Sequence, residues 1–333
     1  MGVKAKPAIR RIAILDDFPD VARSSADWSQ LGDDVEVTPF TEHLRDPDEL
    51  ARALEPYDAV LVMRERTALT GALFARLPNL RLVIATGPAN VAVDVGAARQ
   101  RGIVVSGTGG VATNAPTVEM TWALIHALTR HVPEEDRRLR EGGWQRTVGR
   151  DLAGRRLGVI GLGGIGTPVA QVGLAFGMDV AAWSANLDLA SARAVGVTPV
   201  TKEELLETSD VVTIHLKLSE RSRGLIGRDD LARMTRETLL VNTSRGPIVD
   251  EDALLEALHA GTIGGAGLDV FGIEPLPVDS PWRSAPRTVL TPHLGYVTGE
   301  TFSIMYADAV ADVLAFEAGE PVRVYGVEDG SGN

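Results

Sequence analysis

Residues 155–166 read Arg-Arg-Leu-Gly-Val-Ile-Gly-Leu-Gly-Gly-Ile-Gly. The apolar run Leu157–Ile160 predicts a short strand buried on both faces. Gly161-x-Gly163-x-x-Gly166 follows directly, and the apolar spacing from Ile165 to Phe176 predicts a helix. Such a glycine pattern is weak by itself, but between a strand and a helix it is typical of a dinucleotide-binding turn. We therefore predict that this stretch holds the pyrophosphate of a dinucleotide.

The glycines of this turn are expected to have different roles. Gly161 lets the chain turn sharply, Gly163 lets the backbone approach the pyrophosphate, and Gly166 lets the helix pack closely against the strand. Gly164 and Ile165 complete the turn at the start of the helix, where unpaired N–H groups and the helix dipole favour a phosphate. These five residues form the predicted phosphate site.

The residues expected at the adenosine ribose depart from the usual pattern. In NAD-binding proteins an acidic residue about 20 positions after the first glycine usually accepts the ribose 2′-hydroxyl, from the end of the second strand. Here the strand Val180–Trp183 is followed by the neutral Ser184 and Asn186, whereas Asp179 precedes it. This leaves room for a 2′-phosphate, although no arginine is adjacent. The cofactor is expected to be NAD or NADP, and the choice stays open.

Strand-like and helix-like segments alternate along the whole chain. This alternation predicts the α/β class, with two doubly wound parallel-sheet domains. In the first third, strands are predicted at Arg11–Leu15, Ala59–Met63, Leu82–Ala85 and Ile103–Val105, and helices at Asp20–Leu31, Asp46–Leu54, Thr70–Leu77 and Val93–Arg101. The second series of strands is predicted at Leu157–Ile160, Val180–Trp183, Val211–Ile214, Leu239–Asn242, Gly264–Leu268 and Val289–Leu290.

The dinucleotide turn lies near the middle of the chain rather than at its start. A last predicted helix, at about Gly299–Glu317, follows the second series of strands. We therefore expect a Rossmann nucleotide-binding domain at 114–293, inserted into a flavodoxin-like substrate domain formed by 1–113 and 294–333.

The composition restricts the class of function. The formal net charge of −12 argues against nucleic acid or an anionic membrane as a main partner, and no apolar run reaches the length of a membrane span. The absence of cysteine excludes disulfides and thiolate catalysis. His126 and His131 lack the spacing of zinc ligands, so no metal is expected. We expect a cytoplasmic protein that acts on a small molecule.

Polar residues follow three predicted strands of the second series. Arg245 follows the strand that ends at Asn242, Asp269 and Glu274 follow the next, and His293 follows the last. In a doubly wound sheet the carboxyl ends of the strands open into the ligand crevice, so these side chains are expected to lie beside the cofactor. Thr243 and His215, which also follow strands, are assigned to cofactor binding, His215 as a wall of the adenine pocket.

These residue types suit the reduction of a 2-keto acid. A planar guanidinium such as that of Arg245 can bind both the carboxylate and the carbonyl oxygen. The carbonyl oxygen must gain a proton as hydride arrives, which is a task for His293, and Glu274 would fix the imidazole in one tautomer. Asp269 is expected to face the nicotinamide. Each residue alone has a structural explanation, but the set following three buried strands favours catalysis.

The chain resembles the D-isomer-specific 2-hydroxyacid dehydrogenase family, most strongly from Leu152 to Tyr296 and also from Leu80 to Gly143. The resemblance implies that the family's catalytic arginine, glutamate and histidine correspond to Arg245, Glu274 and His293. It also implies that Asp269 is the nicotinamide-side aspartate and that the protein is a homodimer formed largely through the nucleotide domain.

One loop departs from the family pattern. Members often carry Gly-x-Gly-x-Asp-Asn-Ile-Asp, a loop whose N–H groups bind the substrate carboxylate, but this chain reads Gly87-Pro88-Ala89-Asn90-Val91-Ala92-Val93-Asp94. Pro88 has no N–H to donate. We expect Gly87, Ala89 and Asn90, or neighbouring backbone, to bind the substrate instead. Arg64 is a further candidate because, with Arg66, it follows the strand ending at Met63 and could face a phosphorylated substrate.

The sequence thus favours an NAD(P)-dependent oxidoreductase that interconverts a small 2-keto acid and its D-2-hydroxy acid. One alternative is a D-3-phosphoglycerate dehydrogenase of serine biosynthesis, which Arg64 and Arg66 favour and the altered loop disfavours. Another alternative is a non-catalytic, dinucleotide-sensing protein similar to the family's transcriptional corepressors. The intact Arg245, Glu274 and His293 set weighs against the corepressor but does not exclude it.

Overall fold

The computed structural model describes residues 8–109 and 113–326. The chain divides into two compact units: Met1–Ala112 together with Thr298–Asn333 form the first, and Thr113–Val297 forms the second. Residues 294–297, expected in the first domain, belong to the second unit. The physical reason is that the buried Asp269 accepts hydrogen bonds from the backbone N–H groups of Leu294 and Gly295.

The secondary structure alternates as the α/β prediction requires. The strands are β1 Arg11–Ile14, β2 Glu36–Pro39, β3 Ala59–Val62, β4 Leu82–Ala85, β5 Val104–Gly107, β6 Arg156–Ile160, β7 Asp179–Trp183, β8 Thr198–Pro199, β9 Val211–Ile214, β10 Leu239–Asn242, β11 Gly265–Leu268 and β12 Thr288–Leu290. The helices are α1 Ala22–Ser25, α2 Pro47–Leu54, α3 Gly71–Phe74, α4 Val95–Gln100, α5 Ala115–Arg130, α6 Val132–Arg140, α7 Gly166–Ala175, α8 Leu189–Ala194, α9 Lys202–Thr208, α10 Arg228–Arg233, α11 Glu251–Ala260 and α12 Gly299–Glu317.

The first unit contains a five-stranded parallel sheet in the order β2-β1-β3-β4-β5. This is the flavodoxin-like order, which confirms that prediction. Strands β3 and β4 are buried along their whole length, as their apolar sequences predict. Helix α12 packs against α1 and β4, so the last helix of the described residues completes this unit.

The predicted helix Asp20–Leu31 is wrong. The structure has α1 and a separate 3-10 turn, Trp28–Leu31, because Ala26 is extended and ends α1, and the Asp27 side chain then caps the start of the turn by accepting a hydrogen bond from Ser29 N. Strand β2 was not predicted, since an edge strand that reads Glu-Val-Thr-Pro is only partly buried and lacks a continuous apolar run.

The second unit contains a seven-stranded parallel sheet in the order β12-β11-β10-β9-β6-β7-β8. The strand of the glycine turn, β6, lies between β9 and β7, so the chain changes direction across the sheet at this strand. This is the switch point at which doubly wound sheets bind ligands. Within the described ranges, none of the helices has the length and apolarity required to cross a bilayer.

Candidate active site

The candidate catalytic residues follow three neighbouring strands of one sheet. Strand β10 pairs with β11 and β11 pairs with β12, all parallel. Arg245 lies three residues after β10, Asp269 directly after β11 and His293 three residues after β12. The three strands therefore place these residues at the same end of the sheet, at the carboxyl ends of its strands. The glycine turn also begins at this end, after β6.

His293 and Glu274 form a carboxylate–imidazole pair. His293 Nδ1 lies 2.5 Å from Glu274 Oε2, and the two side chains are only 13% and 20% exposed. The other carboxylate oxygen of Glu274 accepts a hydrogen bond from Phe271 N at 2.9 Å, which fixes the carboxylate. Because the carboxylate favours a proton on Nδ1, Nε2 is the ring atom left to exchange a proton with a substrate.

Asp269 holds the segment that carries His293. It is completely buried and accepts hydrogen bonds from Thr291 Oγ1 at 2.5 Å, Leu294 N at 2.7 Å and Gly295 N at 2.8 Å. Burial raises the pKa of Asp269, and these three hydrogen bonds oppose that rise. Its expected place beside the nicotinamide stays a prediction, whereas the structure shows its hydrogen bonds with residues that precede and follow His293 in the sequence. Thr291 was not singled out from the sequence, although it stands two positions before the histidine.

Arg245 lies in a tightly bonded turn. The Asn242 side chain donates from Nδ2 to Arg245 O and accepts from Ser244 N, both at 3.0 Å. Ser244 Oγ donates to Ile214 O at 2.8 Å, which ties the turn to the end of β9. Arg245 Nη1 donates to Ser244 O at 2.8 Å, and the residue is half-buried. The role of Asn242 was not predicted from the sequence. The feature that could have indicated it is a polar residue at the end of an otherwise apolar, buried strand.

Gly246 links the Arg245 turn to the Glu274 loop. A Cβ atom on Gly246 would lie 2.1 Å from the carbonyl carbon of Phe271 and 2.5 Å from Gly272 N. Only glycine therefore allows the two backbone segments to approach this closely. Phe271 is the residue whose N–H orients Glu274, so the turn after β10 and the loop after β11 pack as one body.

The glycine turn has the geometry expected of each glycine. Gly161 has a φ of +96°, and a Cβ there would lie 2.6 Å from His215 O. A Cβ on Gly166 would lie 1.9 Å from Gly161 O, whereas a Cβ on Gly163 would meet nothing within 4 Å. The N-cap residue of α7, Ile165, makes no side-chain cap hydrogen bond. Open space and an uncapped helix start are what a pyrophosphate needs.

The opposite end of the predicted cofactor site begins after β7. Ser184 lies in the wall of a cavity of about 550 Å³, which Arg193 of α8 also lines. Asn186 is exposed and lies two residues further along the chain. Arg193 was missed because it is nine positions from Ser184 and only α8 brings it back to the same cavity. Glu203 and Glu204 also line this cavity, so its charge is mixed.

His215 and Thr243 are both tied to neighbouring hydroxyl groups. His215 Nε2 lies 3.0 Å from Thr213 Oγ1, and burial lowers the pKa of His215 to about 3, so the ring is neutral at ordinary pH. Its Nδ1 is buried without a hydrogen-bond partner among the described residues. Thr243 Oγ1 lies 2.9 Å from Thr121 Oγ1 of α5. Their roles toward the cofactor stay predictions.

Three predicted substrate residues lie together in the first unit. Asn90 donates from Nδ2 to Arg64 O at 2.5 Å and accepts from Ala92 N at 2.9 Å. Gly87 N donates to Thr108 Oγ1 at 2.8 Å, and a Cβ on Gly87 would lie 2.9 Å from Arg64 Nη1. The Asn90 side chain thus braces the loop, while Ala89 is exposed. In the described part of the chain there is no group of three or more histidine, aspartate or glutamate residues placed to hold a metal ion.

Comparison with known proteins assigns the second unit to a family. Residues 122–295 match the family described as D-isomer specific 2-hydroxyacid dehydrogenase, NAD binding domain. The chain is 38% identical over 286 residues to the glyoxylate reductase of Korarchaeum cryptofilum, covering 84% of this chain and 82% of that protein. The crystal structure of a phosphoglycerate oxidoreductase from Vibrio cholerae has a TM-score of 0.88 and 35% identity, covering 93% of this chain and 100% of that one.

A longer relative shares the same region. The chain is 38% identical over 277 residues to the D-3-phosphoglycerate dehydrogenase of Bacillus subtilis. The matched region covers 81% of this chain but 51% of that protein, so this chain spans about half the length of that relative.

Proposed function

The chain belongs to the D-isomer specific 2-hydroxyacid dehydrogenase family, and we propose that it transfers a hydride between NAD(P)H and the 2-keto group of a small 2-keto acid. The other member of the substrate pair is the D-2-hydroxy acid. The observation that carries this proposal is the His293–Glu274 pair. The pair lies at the carboxyl ends of the strands of the second sheet, the end at which Arg245 follows β10.

The residues of the second unit fit a bound dinucleotide. The open space at Gly163 and the uncapped start of α7 suit the pyrophosphate, and the neutral, half-buried ring of His215 suits the face of an adenine base. Hydride chemistry comes from the nicotinamide when the cofactor is bound. The side chains of this chain bind the acid, orient it and move the proton.

His293 is the proposed acid and base. Reduction adds a hydride to the carbonyl carbon and a proton to the carbonyl oxygen. Because Glu274 holds Nδ1, Nε2 is the atom that gives this proton, and it takes the proton back when the hydroxy acid is oxidised. The Glu274 carboxylate holds the imidazole in one orientation and one tautomer, and Asp269 keeps the backbone around His293 in place.

Arg245 is proposed to bind the substrate carboxylate and to polarise the carbonyl. Its turn is fixed by Asn242, and Gly246 packs that turn against the Glu274 loop, which supports a concerted role for the arginine and the acid–base pair. In the first unit, Arg64, Gly87, Ala89 and Asn90 are proposed substrate-binding residues. For Asn90 the backbone is the proposed contact, since its side-chain amide is engaged by Arg64 O and Ala92 N.

Both nicotinamide cofactors remain candidates. Ser184 provides no carboxylate to repel a 2′-phosphate, and Arg193 lines the same cavity. Glu203 and Glu204 work against a phosphate there. We propose that the protein accepts NADP as well as NAD.

D-3-phosphoglycerate is the second candidate substrate. Arg64 follows β3 with its guanidinium beside Gly87, a position that could meet a phosphate group, and one relative carries this activity in its name. The comparisons give no support to the corepressor alternative.

We also propose a homodimer formed through the second unit. Four apolar side chains in or shortly after α6 are more than half exposed, Val132, Leu139, Trp144 and Val148, and contact with a second copy would remove them from water. The mass of the protein in solution, measured by analytical ultracentrifugation, tests this proposal. The cytoplasm is the proposed location.

The decisive experiment is a spectrophotometric screen. Oxidation of NADH and of NADPH is followed at 340 nm with glyoxylate, hydroxypyruvate and pyruvate, and reduction of NAD and NADP with D-3-phosphoglycerate. Turnover of at least one keto acid supports the proposal. Activity confined to D-3-phosphoglycerate would favour the second candidate, and bound cofactor without any turnover would refute both.

A further inference from the structure

Residues 320–326, here called the C-terminal arm, return from α12 to the edge of the first sheet. Gly107 N donates to Arg323 O at 2.9 Å and Tyr325 N donates to Val105 O at 2.8 Å. Ser106 and Val324 form an antiparallel bridge at the same place. The arm therefore lies beside β5 in the antiparallel direction: Arg323 is opposite Gly107, at the carboxyl end of β5, and Tyr325 is opposite Val105.

The arm places one hydroxyl group on the predicted substrate loop. Tyr325 OH donates to Gly87 O at 2.7 Å. The tyrosine ring lies against Gly107, where a Cβ would come within 2.4 Å of Tyr325 Cε1, and it packs on the apolar core of the first unit. Burial raises the pKa of Tyr325 to about 12, so the phenol stays protonated and keeps donating.

The N–H of Gly87 is held by Thr108 Oγ1, whereas the peptide between Gly87 and Pro88 can be held only through its carbonyl. Gly87 has a φ of +105°, and glycine can adopt many other backbone conformations at little cost. Pro88 follows it and has no N–H that could fix the peptide between them. Rotation of that peptide would turn the Gly87 carbonyl and redirect the exposed Ala89 beyond it. The hydrogen bond from Tyr325 opposes this rotation.

The arm does not depend on that hydroxyl for its own attachment. Arg323 Nη2 lies 2.9 Å from Oδ1 of the buried Asp312 and donates to Asp308 O at 2.8 Å. The two backbone bonds to β5 add to this anchor. Removal of the hydroxyl alone should therefore leave the arm in place and free only the loop.

We propose that Tyr325 is a positioning residue for the substrate: its hydroxyl fixes the Gly87 carbonyl and thereby holds the loop 87–90 in the conformation that binds the 2-keto acid. This inference rests on the proposed function of that loop. It assigns to the C-terminal arm a part in substrate affinity and leaves the proton transfer to His293.

The test is Tyr325→Phe, with Tyr57→Phe as its matched control. Tyr57 is also buried in the first unit, but it precedes β3 and so lies at the amino ends of the parallel strands, whereas Gly87 follows the carboxyl end of β4. For Tyr325→Phe we expect KM for the keto acid to rise about 2- to 10-fold, the effect of one lost hydrogen bond. The kcat and the Kd for NAD(P)H should stay within twofold of wild type, and Tyr57→Phe should change neither KM nor kcat.

Hydrogen–deuterium exchange gives a readout that needs no turnover. Amides of residues 84–92 should exchange faster in Tyr325→Phe than in wild type, while amides of β5 should not. Unchanged KM with unchanged exchange would overturn the proposal, as would a loss of stability without any change in KM. If no keto acid is turned over by the wild type, the proposed function fails, and faster loop exchange still establishes the bracing.

Discussion

Substitution of Gly246 by alanine tests whether Arg245 and the His293–Glu274 pair work as one body. The new Cβ would lie 2.1 Å from the carbonyl carbon of Phe271, whereas ordinary van der Waals contact begins at 3.4 Å. The turn after β10 and the loop after β11 must therefore separate by more than 1 Å. Overpacking of this kind costs about 1 to 3 kcal/mol of stability.

The catalytic effect should exceed the effect on stability. A displacement of roughly 1 Å at a positioning residue can lower the rate about 100-fold, because reacting groups no longer meet in the productive geometry. We expect kcat/KM of Gly246→Ala to fall about 100-fold in the 340 nm assay, at a temperature where circular dichroism shows the variant folded. The Kd for NAD(P)H, measured by fluorescence titration, should stay close to that of wild type, since the proposed pyrophosphate turn follows β6, which is separated from β10 by β9.

Gly299→Ala is the control, because a Cβ at Gly299 meets nothing within 4 Å. It should retain wild-type kcat/KM. A folded Gly246→Ala variant with wild-type kcat/KM would show that the close approach of the two segments is irrelevant to catalysis, and the concerted role of Arg245 and Glu274 would be lost.

Three further variants test separate parts of the site. His293→Ala should lower kcat about 100- to 10,000-fold with unchanged cofactor affinity, while the exposed His259→Ala retains activity; equal turnover in the two would remove His293 from proton transfer. Ser184→Asp should weaken NADPH binding about tenfold relative to NADH, by repulsion of the 2′-phosphate, whereas Ser184→Ala should not; equal loss for both cofactors would place the ribose elsewhere. Burial raises the pKa of Asp312 to about 7, so between about pH 4 and pH 7 this carboxyl group is protonated in the folded state but ionised in the unfolded state. The free energy of unfolding therefore falls as the pH rises from about 4 through 7. Asp312→Asn removes this pH dependence but also the ion pair with Arg323, so the Tm of the variant relative to that of wild type should rise by a few degrees between pH 4.5 and pH 8; a difference that is the same at both pH values would contradict the assigned protonation.

The sequence predicts the elements that are buried on both sides. Strands β3, β4 and β9 consist of four buried apolar or small residues each. A short continuous run of such residues is typical of a strand that is buried on both faces of a parallel sheet. Strand β2 was not predicted because an edge strand is only partly buried and so has no continuous apolar run. The glycine turn was identifiable because its geometry restricts the residue type at Gly161 and Gly166.

The supporting contacts of the site were harder to predict. Gly87 and Tyr325 are 238 positions apart, and no local pattern indicates such a pair. Asn90 looked like a substrate ligand, but a backbone carbonyl, Arg64 O, takes its amide, and backbone groups leave no trace in a sequence. Asn242 and Thr291 lie within three residues of Arg245 and His293 in the sequence. Their hydrogen bonds depend on how neighbouring strands are aligned, so the sequence alone did not indicate their roles.

The divided first unit also has a consequence for synthesis on the ribosome. Its five strands are complete at Gly107, but α12, which packs on β4, begins only at Gly299. At about 5 to 20 residues per second, the emerging sheet waits roughly 10 to 40 s for that helix. The second unit can form during this interval, whereas the first leaves exposed the apolar surface of β4 that α12 covers in the complete fold. Nascent chains halted before residue 299 should therefore be targets for chaperones and proteases.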